Sequence, residues 1–395
     1  MEKPMINLYS NIMSSWPASI VMSPKLSRLT PSIAQIWDYE RISPASAVGS
    51  SLKSLQGAIG EYLERKHFFN EIVPASQKKI VDMMPESWAQ AFIKVLKQTS
   101  AEDEDAIKRH NFNASHVVNM FTLEKAEIPT IFITLENVSV REDCRFYPFR
   151  DTCGCSCHVD FHQAVNGSLG ELLERQALLI YWLTGVAKEE VRLTTSTANE
   201  YIGELIRNLR TEGSLTVLDI TLPGAPGYVI LSLYGTHKKG NSIQYGAGLS
   251  YSMNKEKAVE KSLIELWQSY ICMHNFIIGD YEEEELIDRY QIHFMKCNKY
   301  ETYRALLDST TFHQHKVSTT PRYKTVVDYF RHLTPHLFLY CAREKTPTGM
   351  LWYTKALSPD LFMHMDNSSP VNLNNSLYTQ GTGLAGRERV MVPFP

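Results

Sequence analysis

No apolar run in the sequence approaches the roughly 18 residues that a membrane-crossing helix needs. The amino terminus, MEKPMINLYSNIMSSWP, lacks the compact apolar stretch and small-residue cleavage site of a secretory signal. Cysteine is scarce: there are seven in 395 residues, an odd number with no framework of pairs. That usage suits reduced thiols better than disulfides. An excess of one charge is missing too, with 40 Lys and Arg against 43 Asp and Glu and a net charge of −3. Nucleic acid is therefore not the default partner. The expectation from these absences is a cytoplasmic globular protein with neither membrane nor nucleic acid as partner.

Three cysteines cluster in Cys153-Gly154-Cys155-Ser156-Cys157-His158. Zinc sites favour pairs separated by two to four residues. One-residue spacing puts alternate side chains on one side of a strand, which makes a poor tetrahedral chelate. The stretch reads instead as a small-residue strand or turn packed closely against a neighbour.

Apolar residues make up 44% and charged residues 21%, an ordinary globular balance. Residues 1–45 carry Pro17, Pro24, Pro31 and Pro44 and read as an irregular or short extended segment. Three- and four-residue apolar steps predict helices over 52–70, 78–99, 101–110, 159–185, 196–211, 255–276 and 281–299. Runs rich in β-branched and aromatic residues predict strands over 128–135, 215–220, 228–234, 338–343 and 351–356. Helices and strands mix without strict alternation, so the fold class is α+β (mixed α/β), with helices packed on a mixed β-sheet.

One pattern repeats. Residues 57–65 read Gly-Ala-Ile-Gly-Glu-Tyr-Leu-Glu-Arg and residues 167–175 read Gly-Ser-Leu-Gly-Glu-Leu-Leu-Glu-Arg, identical at six of nine positions. A weaker echo at 261–269 places Glu265 where Glu61 and Glu171 stand, and Gln268 where Glu64 and Glu174 stand. Glutamates three apart share a helix face and repel. Each glycine in a helix costs about 1 kcal/mol against alanine. Both features make sense if that face meets another backbone closely and its carboxylates share cations. Ile59, Leu63, Leu169 and Leu173 lie on the other side and anchor the helices in a core. Carboxylates gathered in this way need counter-charge, and Mg2+ with phosphate oxygens supplies it. Arg65, Arg175 and Lys261 add phosphate partners. The repeat thus reads as a site for a nucleotide and magnesium.

These segments resemble the signatures of YcaO-type proteins, whose first two motifs are Glu-x-x-Glu-Arg and whose third is Glu-x-x-Gln. Thr152–His158, Tyr340–Arg343 and Leu357-Ser358-Pro359 resemble further blocks of that family. The end, Met391-Val392-Pro393-Phe394-Pro395, resembles the proline-rich tail of its azole-forming members. Gln176 stands where many members carry aspartate. The resemblance implies a YcaO-type ATP-binding catalytic core over 46–390 and a proline-containing tail over 391–395. It implies an ATP-dependent peptide cyclodehydratase: a Cys or Ser side chain of a precursor peptide attacks the preceding carbonyl, ATP phosphorylates the oxygen, and phosphate leaves to give a thiazoline or oxazoline. By the same resemblance Glu61, Glu64, Glu171, Glu174 and Glu265 hold Mg2+. Arg65, Asn166, Arg175, Lys261 and Gln268 hold ATP, and Pro395 offers its carboxylate as a base. The implied partners are the precursor peptide, a leader-binding subunit and a flavin-dependent dehydrogenase. Two alternatives stay open, thioamide or amidine formation on the same fold, and a silent scaffold that docks the precursor.

Overall fold

A computed structural model of the chain describes residues 18–23, 31–38, 45–49, 51–135, 138–193, 200–278, 289–312, 322–346, 349–366, 368, 371–373, 377 and 391–394. Its contacts divide the chain into two compact units. One is built chiefly from Leu63–Leu179 and Tyr323–Met391, the other from Met13–Tyr62, Ile180–Arg322 and Val392–Pro395.

In the first unit, strands Ser76–Lys79, Asn111–Asn119, Phe338–Thr346, Gly349–Leu357 and Cys155–His158 follow one another across an antiparallel sheet. Lys125–Pro129 also pairs with Asn111–Asn119. Helix Glu86–Thr99 delivers Trp88, Phe92 and Leu96 to the core, where the Phe92 ring lies 5.1 Å from Phe132 and 5.5 Å from Phe338. Proline sets two boundaries that differ from the sequence expectation. Met84 is extended (φ −158, ψ 167), as a residue preceding proline prefers. The expected helix over 78–99 is therefore a strand Ser76–Lys79, a short helix Ile80–Met83 and the helix Glu86–Thr99. Pro129 has no N–H to continue a ladder. The strand expected over 128–135 is instead Lys125–Pro129, followed by a 3-10 turn at Thr130–Phe132. The small-residue stretch forms the strand Cys155–His158, and Gly154 (φ 75) is where the backbone closes in. A Cβ there would lie 2.2 Å from the Ala356 carbonyl oxygen.

The second unit holds a four-stranded antiparallel sheet in the order Tyr245–Ser252, Tyr228–Gly235, Ser214–Asp219, Glu189–Glu190. A separate antiparallel sheet joins Ala18–Ser23, Ser32–Asp38 and Ala45–Gly49, so the described part of the amino-terminal stretch takes the short extended form of the two the sequence allowed. Thr311–Phe312 and Val186–Ala187 form the one parallel pair among the described residues. Where the sequence suggested a mixed sheet, the large sheets are antiparallel. Tyr245–Ser252 escaped the sequence reading because its glycines and serines carry little strand propensity. Those glycines serve packing. A Cβ on Gly248 would lie 2.1 Å from the Leu266 nitrogen and 2.2 Å from the Ser262 carbonyl oxygen, so helix Lys255–Ile278 lies directly on this strand. The Ser262 and Ser232 hydroxyls tie helix to sheet at 2.8 Å.

Gly248→Ala should lower the unfolding free energy by about 3 kcal/mol, because backbone on both elements must move. Denaturant unfolding of the full chain checks this, and an unchanged midpoint contradicts it.

Candidate functional site

The second repeat lies on helix Phe161–Thr184. Asp160 caps it, accepting the Gln163 N–H at 2.9 Å. Three contacts then fix its position in the first unit. Gly167 has no Cβ, and one would meet the Ser156 hydroxyl at 2.3 Å. The Ser168 and Thr354 hydroxyls meet at 2.6 Å. Gln176, fully buried, donates to the Phe362 carbonyl at 2.8 Å and accepts the Phe362 N–H at 2.9 Å. A buried aspartate could not make both bonds, which accounts for the amide at this position.

This helix presents Glu171, Glu174 and Arg175, all partly buried. Arg175 Nη2 lies 3.6 Å from Glu171 Oε1, one turn away. Burial pushes the Glu171 carboxyl well above the usual carboxylate range. Arg175 opposes that, while the charges of Glu64, Glu174 and Asp151 push it further. The charges of Glu64 and Glu174 thus act on Glu171 in the same direction as its burial, and the Arg175 guanidinium one turn away acts against them. Asp151 was not picked out from the sequence. It is buried, Oδ1 accepts the Cys153 N–H at 2.7 Å, and Oδ2 accepts the Met365 N–H at 2.8 Å. The one signal that could have marked it is an aspartate two residues before Cys153 at the mouth of a glycine turn.

The first repeat lies on helix Ser51–Lys66. Ile59 and Leu63 are buried as expected, and Leu169 and Leu173 match them on the second helix. Of the paired glycines, Gly57 meets a neighbour closely, its Cβ position lying 2.6 Å from the Ala47 Cβ. Among the described residues nothing beyond the helix's own backbone lies within 4 Å of a Cβ built on Gly60, so none of them makes the close approach expected there. Arg65 is partly buried at the end of the helix, where the chain widens into a π turn, His67–Glu71. His67 contacts Glu71 Oε2 at 3.3 Å and the Tyr340 hydroxyl at 3.1 Å, and stacks on Tyr353 at 4.0 Å. The His67 and Lys66 bonds hold the Glu71 carboxyl down at about 2. Burial pushes the Cys157 thiol up, and Glu64 pushes it further.

Glu61 and the third repeat belong to the second unit. Glu61 Oε2 accepts the Ser46 N–H at 3.0 Å. Gln268 donates to the Ser46 carbonyl oxygen at 2.7 Å and hydroxyl at 2.9 Å. Glu265 is partly buried one turn before Gln268 on helix Lys255–Ile278, while Lys261 is exposed. Asn166 is exposed on the second motif helix. Pro395 lies outside the described residues. The tail before it is buried through Val392 and Phe394, and the Tyr245 hydroxyl donates to the Pro393 carbonyl at 2.8 Å.

Comparison with known proteins now bears on this arrangement. The family described as YcaO cyclodehydratase, ATP- and Mg2+-binding, matches residues 49–361. The chain belongs to the YcaO family. It is an ATP-dependent cyclodehydratase that uses Mg2+. It is 50% identical to the microcin B17-processing protein McbD of Escherichia coli, over 99% of this chain and all of that protein. A chain in the solved E. coli microcin synthetase McbBCD complex with pro-MccB17 bound has a TM-score of 0.91 and 48% identity, with 98% of each chain covered. The YcaO protein of Methanopyrus kandleri, solved with AMPPCP and Mg2+, shares the fold at a TM-score of 0.59 and 14% identity, covering 92% of this chain and 91% of that one. Nothing in these relatives favours thioamide or amidine formation, or a silent scaffold.

Glu64, Glu174 and Asp151 add to the negative charge around Glu171, which Arg175 opposes, and carboxylate oxygens are the hard donors that magnesium prefers. Among the described residues no three acidic, His or Cys side chains stand together as a ready-made metal cluster. No helix among the described residues is long and apolar enough to cross a membrane.

The Glu171 carboxyl titrates higher in the folded chain than the unfolded value near 4.5. Its stabilising effect is complete below that value and is lost as pH rises through the folded one. Glu171→Gln should therefore raise the thermal midpoint of the metal-free chain at neutral pH and remove the further rise that Mg2+ with nucleotide brings. A lower midpoint in the metal-free variant would contradict the repulsion described.

Proposed function

We propose that this chain is the ATP-using subunit of a heteromeric thiazole and oxazole synthetase that matures a microcin-type precursor peptide. An McbB-like subunit would hold the leader, and an McbC-like flavin-dependent dehydrogenase would oxidise the rings. What carries the reading is correspondence at 50% identity along the whole length of McbD, with no part of that protein left uncovered. We place the assembly in the cytoplasm, where its co-substrate ATP is abundant.

Within the chain, Glu64, Glu171 and Glu174, with Glu61 and Glu265, are the magnesium ligands in this reading. Arg65 and Arg175 hold phosphate oxygens as charged donors, and Lys261, Asn166 and Gln268 complete the nucleotide contacts. Bound ATP supplies the phosphoryl group that turns the amide oxygen into a leaving group. The protein's part is to orient the amide and the attacking side chain and to neutralise charge. The Pro395 carboxylate serves as the base that takes the proton of the attacking Cys or Ser. Tyr245 supports that role by holding the preceding Pro393 carbonyl.

Two experiments test this. With partner subunits and a precursor labelled with heavy oxygen at the reacting amide, the label should appear in released phosphate; unlabelled phosphate rules out amide-oxygen activation. Glu174→Gln should lower ATP turnover at least 100-fold, because a metal ligand is lost with no change of shape. Retained turnover would remove Glu174 from the proposed metal site.

A further inference from the structure

Ser46 lies outside the span matched to the family, on the strand Ala45–Gly49, and is nearly buried at 8% exposure. Two of the motif helices converge on this one residue. Its N–H donates to Glu61 Oε2 at 3.0 Å. Its carbonyl oxygen and hydroxyl accept from Gln268 Nε2 at 2.7 and 2.9 Å. The hydroxyl also lies 3.5 Å from Cys272 Sγ, one turn beyond Gln268, and that sulfur accepts from Gln35 Nε2 at 3.6 Å. Asn275 donates to Gln35 Oε1 at 3.2 Å and closes the network.

The chemistry of the partners fixes the orientation of the Gln268 amide. A carbonyl oxygen only accepts, so the atom 2.7 Å from the Ser46 carbonyl must be the amide nitrogen. Both amide hydrogens are then spent on Ser46, and the atom Gln268 offers to a ligand is its oxygen. Gln268 is thereby unable to donate to a phosphate and suited to a cation or to a donor group of the nucleotide. Glu61, likewise, has one carboxylate oxygen committed to the Ser46 N–H.

We propose that Ser46 is a positioning residue for the magnesium–nucleotide site: it locks Gln268 with its amide oxygen as the ligating atom and sets Glu61 from the same backbone unit. This rests on the assignment of Gln268 and Glu61 made above. Ser46 itself touches no reacting atom.

The test uses the full chain, Mg2+ and an ATP analogue with a non-hydrolysable β–γ bridge. Calorimetry gives the dissociation constant, and thermal unfolding without nucleotide gives the midpoint. Ser46→Ala keeps the backbone bonds but loses the hydroxyl. It should weaken binding about three- to tenfold, the range for one neutral hydrogen bond, with the midpoint nearly unchanged. Ser46→Thr should restore binding. The double variant Ser46→Ala, Gln268→Ala should bind no worse than Gln268→Ala alone, because the hydroxyl acts through that amide. If Gln268→Ala weakens binding while Ser46→Ala does not, or if the two losses simply add, the positioning role is overturned. If Gln268→Ala alone has no effect while Glu174→Gln does, the inference falls and the carboxylate site stands. If neither has an effect, the site assignment itself fails.

Discussion

Partly buried carboxylates, Glu171 foremost, form the constraint on which the rest of this molecule depends. Burial raises the Glu171 carboxyl and the charges of Glu64, Glu174 and Asp151 raise it again, while Arg175 opposes them. An isolated helix gains nothing from glutamates three residues apart, and a partly desolvated cluster is worse. In the proposed site a divalent cation carrying a polyphosphate would neutralise this charge on binding. Strain in the ligand-free protein and affinity for the ligand are then two sides of one electrostatic fact.

Holding such a cluster takes a stiff frame. The second motif helix meets strand Cys155–His158 through Gly167, strand Gly349–Leu357 through Ser168, and the Phe362 backbone through Gln176. The His67 network ties down the chain just after Arg65, where a π turn replaces regular helix. In the second unit, Gly248 lets the third motif helix lie on its strand, and Ser46 joins Glu61 to Gln268. The ties of the second motif helix use a small side chain or a neutral hydrogen-bonding group, so they add no charge beside Glu171.

Much of this was readable from the chain itself, though not evenly. The three motif helices were, because apolar residues such as Leu169 and Leu173 recur at helical steps and their burial depends on local periodicity alone. The carboxylates were legible because a costly pattern occurred twice. The strands Asn111–Asn119 and Tyr245–Ser252 were not, since their polar residues and glycines satisfy partners far away in sequence. Met84 and Pro129 show local rules cutting elements that a periodic window had run together. Asp151 and Ser46 stayed hidden for a different reason. Each acts through backbone N–H or carbonyl groups of distant segments, and such bonds leave no pattern in the one-dimensional string.

The most direct measurement is the proton balance of binding. Calorimetry of Mg2+ and the ATP analogue in two buffers of different ionisation enthalpy counts the protons that leave the chain. The account requires net release beyond that of Mg2+ and the analogue mixed alone, and requires that excess to be largely abolished in the Glu171→Gln chain. Binding with no such excess, or an excess that survives the loss of the Glu171 carboxyl, would contradict it.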